Sequence, residues 1–251
     1  MEKEKILGFD VCNCNEQELI QDIMEDYNQN NQIMIANINP EIIINNYKDE
    51  AYIHNLNDQK YQIPDGIGTV LASKINKGKI KNRIAGIDFM YKIIEVTIKY
   101  NSKIFLYGAK PGIAEAAKKE LENDFNNINI VGTCNGYVDE EVAIQMINNS
   151  NPDIVFVGLG SPKQENFIIS NMDKLSSVKI FMPVGGSFDV VSKTLKRASN
   201  WIIKMNLEWL YRLLRQPKRI FRQLKLITFM KCVILEKIKE KGESKKCQKS
   251  K

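Results

Sequence analysis

Apolar residues along the chain gather into short continuous runs, and amphipathic stretches separate them. Gln32–Ile38 (QIMIANI), Lys103–Gly108 (KIFLYG), Ile128–Gly132 (INIVG), Asp153–Gly160 (DIVFVGLG) and Val178–Gly186 (VKIFMPVGG) read as buried strands. Between them, helical spacing predicts helices over Glu16–Tyr27, Asp88–Tyr100, Ile113–Phe125 and Glu140–Asn149. Asn39 followed by Pro40 marks another helix start, an N-cap and a proline in the first turn, with Ile42, Ile43, Ile44 and Tyr47 to pack it. Ser161-Pro-Lys-Gln-Glu165 opens a further one. Continuous apolar strands alternating with helices predict an α/β fold, a Rossmann-like parallel sheet with helices on both faces.

The strand ends draw attention next. Gly108, Gly158 with Gly160, and Gly185 with Gly186 each close an apolar run. In open α/β sheets ligands bind beyond the carboxyl ends of the strands, where helix N-termini favour phosphate. Each glycine alone is an ordinary turn residue; three such ends together point to a nucleotide site. No GxGxxG follows a first strand and no GxxxxGK[ST] occurs, so neither a dinucleotide fingerprint nor a P-loop is present. No Asp-x-Asp pair offers itself to a metal-bridged diphosphate, and metal-independent chemistry without a cofactor is expected.

Tyr61–Asp88 carries the most unusual acid. Asp65 stands between Pro64 and Gly66 after the apolar Tyr61 and Ile63, which places it at a strand-to-helix turn. The helix after it should run over Ile67–Lys77, with Val70, Leu71 and Ile75 on the buried side. Asp65 there is either a helix cap or a general base at the mouth of the sheet, with the Arg83–Asp88 segment nearby.

The composition, 43% hydrophobic and 26% charged over 251 residues, is that of a folded chain. Five cysteines without a CxxC pair, beside the single histidine His54, argue against a zinc site and a disulfide framework and fit a reducing cytosol. The charged start, Met1-Glu-Lys-Glu-Lys5, has no apolar segment after it of the signal-peptide kind, and no apolar run approaches a bilayer span. The net charge of +6 conceals a division. Residues 196–251 carry 17 Lys/Arg against 4 Asp/Glu, and residues 1–195 carry 19 against 26. A mildly acidic body, 1–195, thus bears a basic appendage, 196–251, suited to an anionic partner. Trp201–Leu214 reads as a helix, ended by Pro217, and Arg219–Leu235 mixes bulky apolar residues with spaced cations, as a helix in a membrane interface does. A helix docked on its own core is the competing expectation. Lys237–Lys251 reads as a disordered basic end.

Taken together, several short pieces in order resemble the WecG/TagA/CpsF family of bacterial glycosyltransferases over almost the whole chain. They are Asn39; Pro64-Asp65-Gly66 with Gly68; Arg83 and Gly86-Ile-Asp88; Phe105-Leu-Tyr-Gly108 with Pro111-Gly112; Val131-Gly-Thr133 with Gly136-Tyr137; Pro152-Asp153; Val157-Gly-Leu-Gly160 with Pro162-Lys-Gln-Glu165; Gly185-Gly186 with Phe188-Asp189; Arg197-Ala198; and Glu208-Trp-Leu-Tyr-Arg212 with Pro217 and Arg219. Asn37 stands where relatives often have Thr, Val191-Ser-Lys193 lacks a glycine usual there, and Ser199 replaces a proline.

The resemblance implies an inverting transfer of a sugar from a UDP-sugar to a polyprenyl-diphosphate-linked sugar, by a peripheral protein on the inner face of the cell membrane. One branch moves N-acetylmannosamine from its UDP form to undecaprenyl-diphosphate N-acetylglucosamine, the linkage unit of wall teichoic acid. Others use another UDP-sugar for enterobacterial common antigen, capsule or exopolysaccharide. The Asn-, Ile- and Lys-rich composition favours the teichoic-acid branch. Carried over, Asp65 matches the general base, with Asn39 and Arg83 as catalytic companions. Asn37, Gly136, Tyr137, Gln164, Glu165 and Asp189 join the strand-end glycines as substrate-binding candidates. Arg212, Arg215, Arg219 and Arg222 are candidates for contact with diphosphate or membrane. The implied partners are the UDP-sugar, the lipid-linked acceptor and an anionic membrane surface. Homo-oligomer formation is left open and no nucleic acid is expected. An epimerase would need the missing dinucleotide fingerprint, and a nucleic-acid-binding protein would leave the Asp65 turn and the glycine-ended strands without a role.

Overall fold

The computed structural model describes residues 1–199, 201–202, 205, 208–215 and 220–249. In chain order, β1 (Lys3–Ile6), β2 (Phe9–Cys12) and α1 (Glu16–Asn28) precede β3 (Ile33–Ile38), α2 (Pro40–Asn46) and α3 (Glu50–Asn57). Then come β4 (Tyr61–Pro64), α4 (Ile67–Ile75), α5 (Gly86–Thr97), β5 (Lys103–Gly108), α6 (Ile113–Asp124), β6 (Asn129–Cys134) and α7 (Glu140–Ser150). β7 (Ile154–Gly158), α8 (Lys163–Asn171), β8 (Ile180–Pro183) and α9 (Ser187–Val191) complete the body, and α10 (Glu208–Arg215) and α11 (Ile220–Lys249) follow.

Six strands form one parallel sheet in the order β4-β3-β8-β7-β5-β6. Alternate side chains of its strands supply two cores. On one face Met34, Ala36, Phe105, Tyr107, Val155, Val157 and Phe181 pack under α2, α3, α7 and α8. On the other, Ile33, Ile35, Ile104, Leu106, Ile154, Phe156, Ile180 and Met182 pack under α1, α5, α6 and α9. This double burial is why these strands are apolar throughout. β5 sends its helix to one face and its neighbour β7 to the other, which makes the carboxyl edge beyond these two strands a switch point, where open α/β sheets place their ligand crevice.

Several expectations need correction. β1 and β2 pair as an antiparallel hairpin, turned at Leu7-Gly8 with φ +49° and +88°, where only an entry segment was expected. α3 was not foreseen, although Asp49 caps it by accepting from the N–H of Tyr52. α4 ends at Ile75 and buries Gly68, Thr69, Ala72 and Ser73; Leu71 is 43% exposed. The small face wins because it is covered closely by Pro40, by the C-terminal helix and by β1: a Cβ on Gly68 would stand 2.5 Å from Pro40 Cγ and 3.0 Å from Leu226 Cδ1. Its polar members are satisfied, Thr69 Oγ1 donating to the Ile38 carbonyl at 3.2 Å and Ser73 Oγ to Glu4 Oε2 at 2.6 Å. α5 starts at Gly86, earlier than the expected Asp88.

The expected helix Trp201–Leu214 falls partly outside the described residues; Glu208–Arg215 is helical. Lys237–Lys249, expected to be disordered, continues α11. That helix docks on α2 and α4 through Phe229 and Val233, both fully buried, with Leu226 and Met230 beside them. Leu226 meets α4 at Gly68, and Lys237 Nζ donates to the carbonyl of Asn76 beyond the C-terminus of α4 at 2.9 Å. α11 therefore runs parallel to α4, and its first turns lie at the carboxyl edge of the sheet. Its other face leaves Leu224, Ile227, Ile234, Leu235 and Ile238 exposed. Among the described residues no helix is long and apolar enough to cross a membrane.

Candidate active site

Every strand-end residue singled out from the sequence comes to one edge of the sheet. At the β4–β3 end, the Asp65 N–H donates to the Ile38 carbonyl at 2.9 Å, so Asp65 and Asn39 emerge side by side. The N–H of Ile84 donates to the Pro64 carbonyl at 2.9 Å, which brings Arg83 against the same turn. Asp65 and Arg83 are both half-buried. The N-cap position of α4 belongs to Gly66, φ +89°, not to Asp65. Asn39 does serve as a cap: its Oδ1 accepts from the Ile42 N–H at 3.0 Å. Its side-chain amide N–H groups are the part left for chemistry.

Asn37 ties β3 to β8, its Nδ2 donating to the Pro183 carbonyl at 2.7 Å, while its buried Oδ1 has no hydrogen-bond partner. It lies under the start of α5, where a Cβ on Gly86 would stand 3.0 Å from Asn37 Nδ2. The glycines divide in two. Gly108 and Gly158 pack against the protein itself: a Cβ on Gly108 would stand 2.4 Å from the Gly158 carbonyl oxygen. Gly160 (φ +78°) and Gly185 (φ +52°) instead border open space, with nothing within 4 Å of an added Cβ. Gly136 packs under Leu159, and next to it Tyr137 is 72% exposed, its N–H held by Asn135 Oδ1 at 3.0 Å. Asp189 lies in the first turn of the short α9, half-buried and beside Gly186.

Gln164 and Glu165 sit beneath this rim, 4% and 1% exposed. Gln164 Oε1 accepts from the N–H groups of Gly160 and Gly185, and its Nε2 donates to Glu165 Oε1 at 2.8 Å. Burial pushes the Glu165 carboxyl above its ordinary range, and the hydrogen bond from Gln164 offsets part of that rise. The Glu165 Oε2 atom makes no hydrogen bond. Tyr52, from the unforeseen α3, and Ser161 place their hydroxyls 3.3 Å apart. Sequence reasoning missed both; the Asp49 cap was the available signal for α3.

Of the tail arginines, Arg219 lies outside the described residues, as do the side chains of Arg212, Arg215 and Arg222. Arg197, where the tail begins, donates to Asp88 Oδ1 at 2.6 Å in the first turn of α5. A surface hollow of about 380 Å³ near Asn13, Glu18 and Lys81 contains none of these site residues.

An acid, cationic and amide donors, and two open glycine loops thus stand along one edge of the sheet. The arrangement can bind a diphosphate and take up a proton. The chain resembles proteins of known name. It is 39% identical over 180 residues to the N-acetylglucosaminyldiphosphoundecaprenol N-acetyl-beta-D-mannosaminyltransferase of Bacillus subtilis (strain 168), covering 71% of this chain and 70% of that one. It is 35% identical over 232 residues to the protein of the same name from Staphylococcus aureus (strain MRSA252), covering 91% of each. The profile described as "Glycosyl transferase WecG/TagA/CpsF family" matches residues 4–243. This chain belongs to the WecG/TagA/CpsF family of glycosyl transferases, and it is an enzyme of the hexosyl-transferring kind.

Proposed function

We propose that this chain transfers N-acetylmannosamine from UDP-N-acetylmannosamine to undecaprenyl-diphosphate-linked N-acetylglucosamine, with inversion at the anomeric carbon, to build a wall teichoic acid linkage unit. The observation that carries this is the meeting of Asp65, Asn39 and Arg83 at one turn, on the same sheet edge as the open Gly160 and Gly185, in a chain so similar to two transferases named for that sugar and that acceptor.

Asp65, as carboxylate, takes the proton of the acceptor hydroxyl. The freed oxygen bonds to the anomeric carbon from the face opposite the diphosphate. The bond from that carbon to the phosphate oxygen breaks, and UDP departs with the electron pair. Backbone N–H groups at the strand ends and the Arg83 guanidinium meet the growing negative charge, with no metal required. Tyr137 offers an exposed ring on the rim for the uracil, and Asp189 an acceptor for ribose hydroxyls.

The appendage, 196–251, brings the site to its lipid. α11 starts at the carboxyl edge of the sheet, and its exposed Leu224, Ile227, Ile234, Leu235 and Ile238 lie among Lys225, Lys231 and Lys239. That surface suits the headgroup layer of an anionic membrane on its inner face. Arg212, Arg215, Arg219 and Arg222 either bind headgroups or reach the diphosphate. The test incubates the protein with UDP-N-acetylmannosamine and a lipid-diphosphate N-acetylglucosamine, with and without chelator. UDP release that needs both substrates and survives chelation is expected; no release with this pair, but release with another UDP-sugar, refutes the donor.

A further inference from the structure

The loops after β7 and β8 are joined by a single side-chain oxygen. Gln164 Oε1 accepts from the Gly160 N–H at 3.2 Å and from the Gly185 N–H at 3.0 Å. Both glycines have left-handed φ and border open space, so the joined loops present open backbone at the sheet's carboxyl edge. The last backbone hydrogen bond between the two strands, from the Val184 N–H to the Val157 carbonyl at 2.8 Å, lies before both glycines, and Gln164 is the bridge beyond it.

A glutamine amide has two orientations related by a half-turn. Only one gives an acceptor to two N–H donors; the other sets an NH2 against them. The choice rests on the far side of the amide, where Glu165 Oε1 accepts from Gln164 Nε2 at 2.8 Å. A carboxylate oxygen there cannot face the amide oxygen without repulsion, so it holds Gln164 in the bridging orientation. The remaining Glu165 oxygen has no hydrogen-bond partner, although the residue is almost fully buried. For stability alone that is a poor arrangement, because a buried unpaired acceptor costs free energy that an apolar side chain would not.

We propose that Glu165 is a positioning residue: by orienting the Gln164 amide it fixes the spacing of the Gly160 and Gly185 loops, which hold the diphosphate of the nucleotide-sugar donor. Glu165 itself touches no substrate, and Gln164 acts through the two backbone N–H groups that it binds. The inference rests on the reading of this sheet edge as the donor site.

The experiment measures UDP affinity by calorimetry and donor KM and kcat on the full chain, as wild type, Glu165→Gln, Glu165→Leu and Gln164→Met, with Tm alongside. Glu165→Gln keeps a carbonyl acceptor for Gln164 and should bind UDP within about twofold of wild type. Glu165→Leu and Gln164→Met should each weaken UDP binding and raise donor KM about tenfold, with kcat at saturating donor within about threefold. Glu165→Leu should do so with Tm at or above wild type, since it removes a buried polar atom that has no hydrogen-bond partner. Unchanged UDP affinity in Glu165→Leu overturns the proposal. So does a loss of affinity shared equally by Glu165→Gln and matched by lower Tm, which would mark a merely structural carboxylate. If Glu165→Leu does not fold, unchanged UDP affinity in Gln164→Met overturns it instead. A wild-type chain that binds no UDP refutes the donor-site reading, and this inference with it.

Discussion

Removing the Phe229 ring tests how α11 is held. Phe229 is fully buried, and with Val233, Leu226 and Met230 it seats the helix on α2 and α4. Truncating a buried Phe to Ala costs about 3–5 kcal/mol where the surroundings cannot close the gap. At about 1.4 kcal/mol per tenfold, that lowers the docking equilibrium by about 10²–10³ or more. The loss should stay local. An isolated helix is marginal in water, so undocked α11 exchanges its amide hydrogens freely. The six-stranded sheet keeps both of its cores apart from one α11 contact surface. Hydrogen exchange read by mass spectrometry on Phe229→Ala should therefore show α11 peptides losing protection by at least about 100-fold, with those of β3, β5, β7 and β8 unchanged. Turnover should fall as well, because α11 meets the body at Pro40 and Gly68, next to Asn39 and Asp65. Equal loss of protection in the sheet would refute the argument, since α11 would then unfold only with the whole protein. No change in α11 would refute the docking itself.

Three further outcomes can be checked. Asp65→Asn should lower turnover by about 10²–10⁴ with UDP affinity and Tm kept, because only the proton acceptor is removed; turnover near wild type would take the base role from Asp65. Glu165→Gln should raise Tm at pH 7 and progressively less toward pH 4. Burial lifts the folded carboxyl above its ordinary value of 4.5, so the folded state holds its proton better than the unfolded one. Wild-type stability is consequently lost as pH rises from that value through the raised one, and a Tm difference independent of pH would contradict this. Ile227→Glu with Leu235→Glu should abolish binding to anionic liposomes with Tm within about 2 °C of wild type, since both side chains are exposed. Undiminished binding would deny that surface a membrane role.

The site was legible to the extent that it hangs on strand ends. A strand buried on both faces must be apolar throughout, so Ile33–Ile38, Lys103–Gly108 and Ile154–Gly158 were readable, and their following residues were readable as one edge. Asp65 stood out because Pro64 and Gly66 bracket it. What escaped depends on partners far away in sequence. Glu165 looks like any acid in a helix's first turn. Only the fold shows that its surroundings are Gln164, Ser161 and Tyr52, the last from a helix more than a hundred residues earlier.

α4 and α11 mark the boundary between the two kinds of information. On α4 the apolar pattern named Leu71 as buried, yet the fully covered face is Gly68, Thr69, Ala72 and Ser73, with Pro40 and Leu226 pressed against Gly68. α11 carries apolar residues on more than one face, so periodicity cannot say which of them docks. The sequence by itself determined the class of fold, the edge of the sheet where chemistry collects, and the family. Tertiary structure alone decided which faces are covered and which polar groups hold one another, because burial and hydrogen bonding belong to pairs of surfaces, and a sequence pattern describes only one member of each pair.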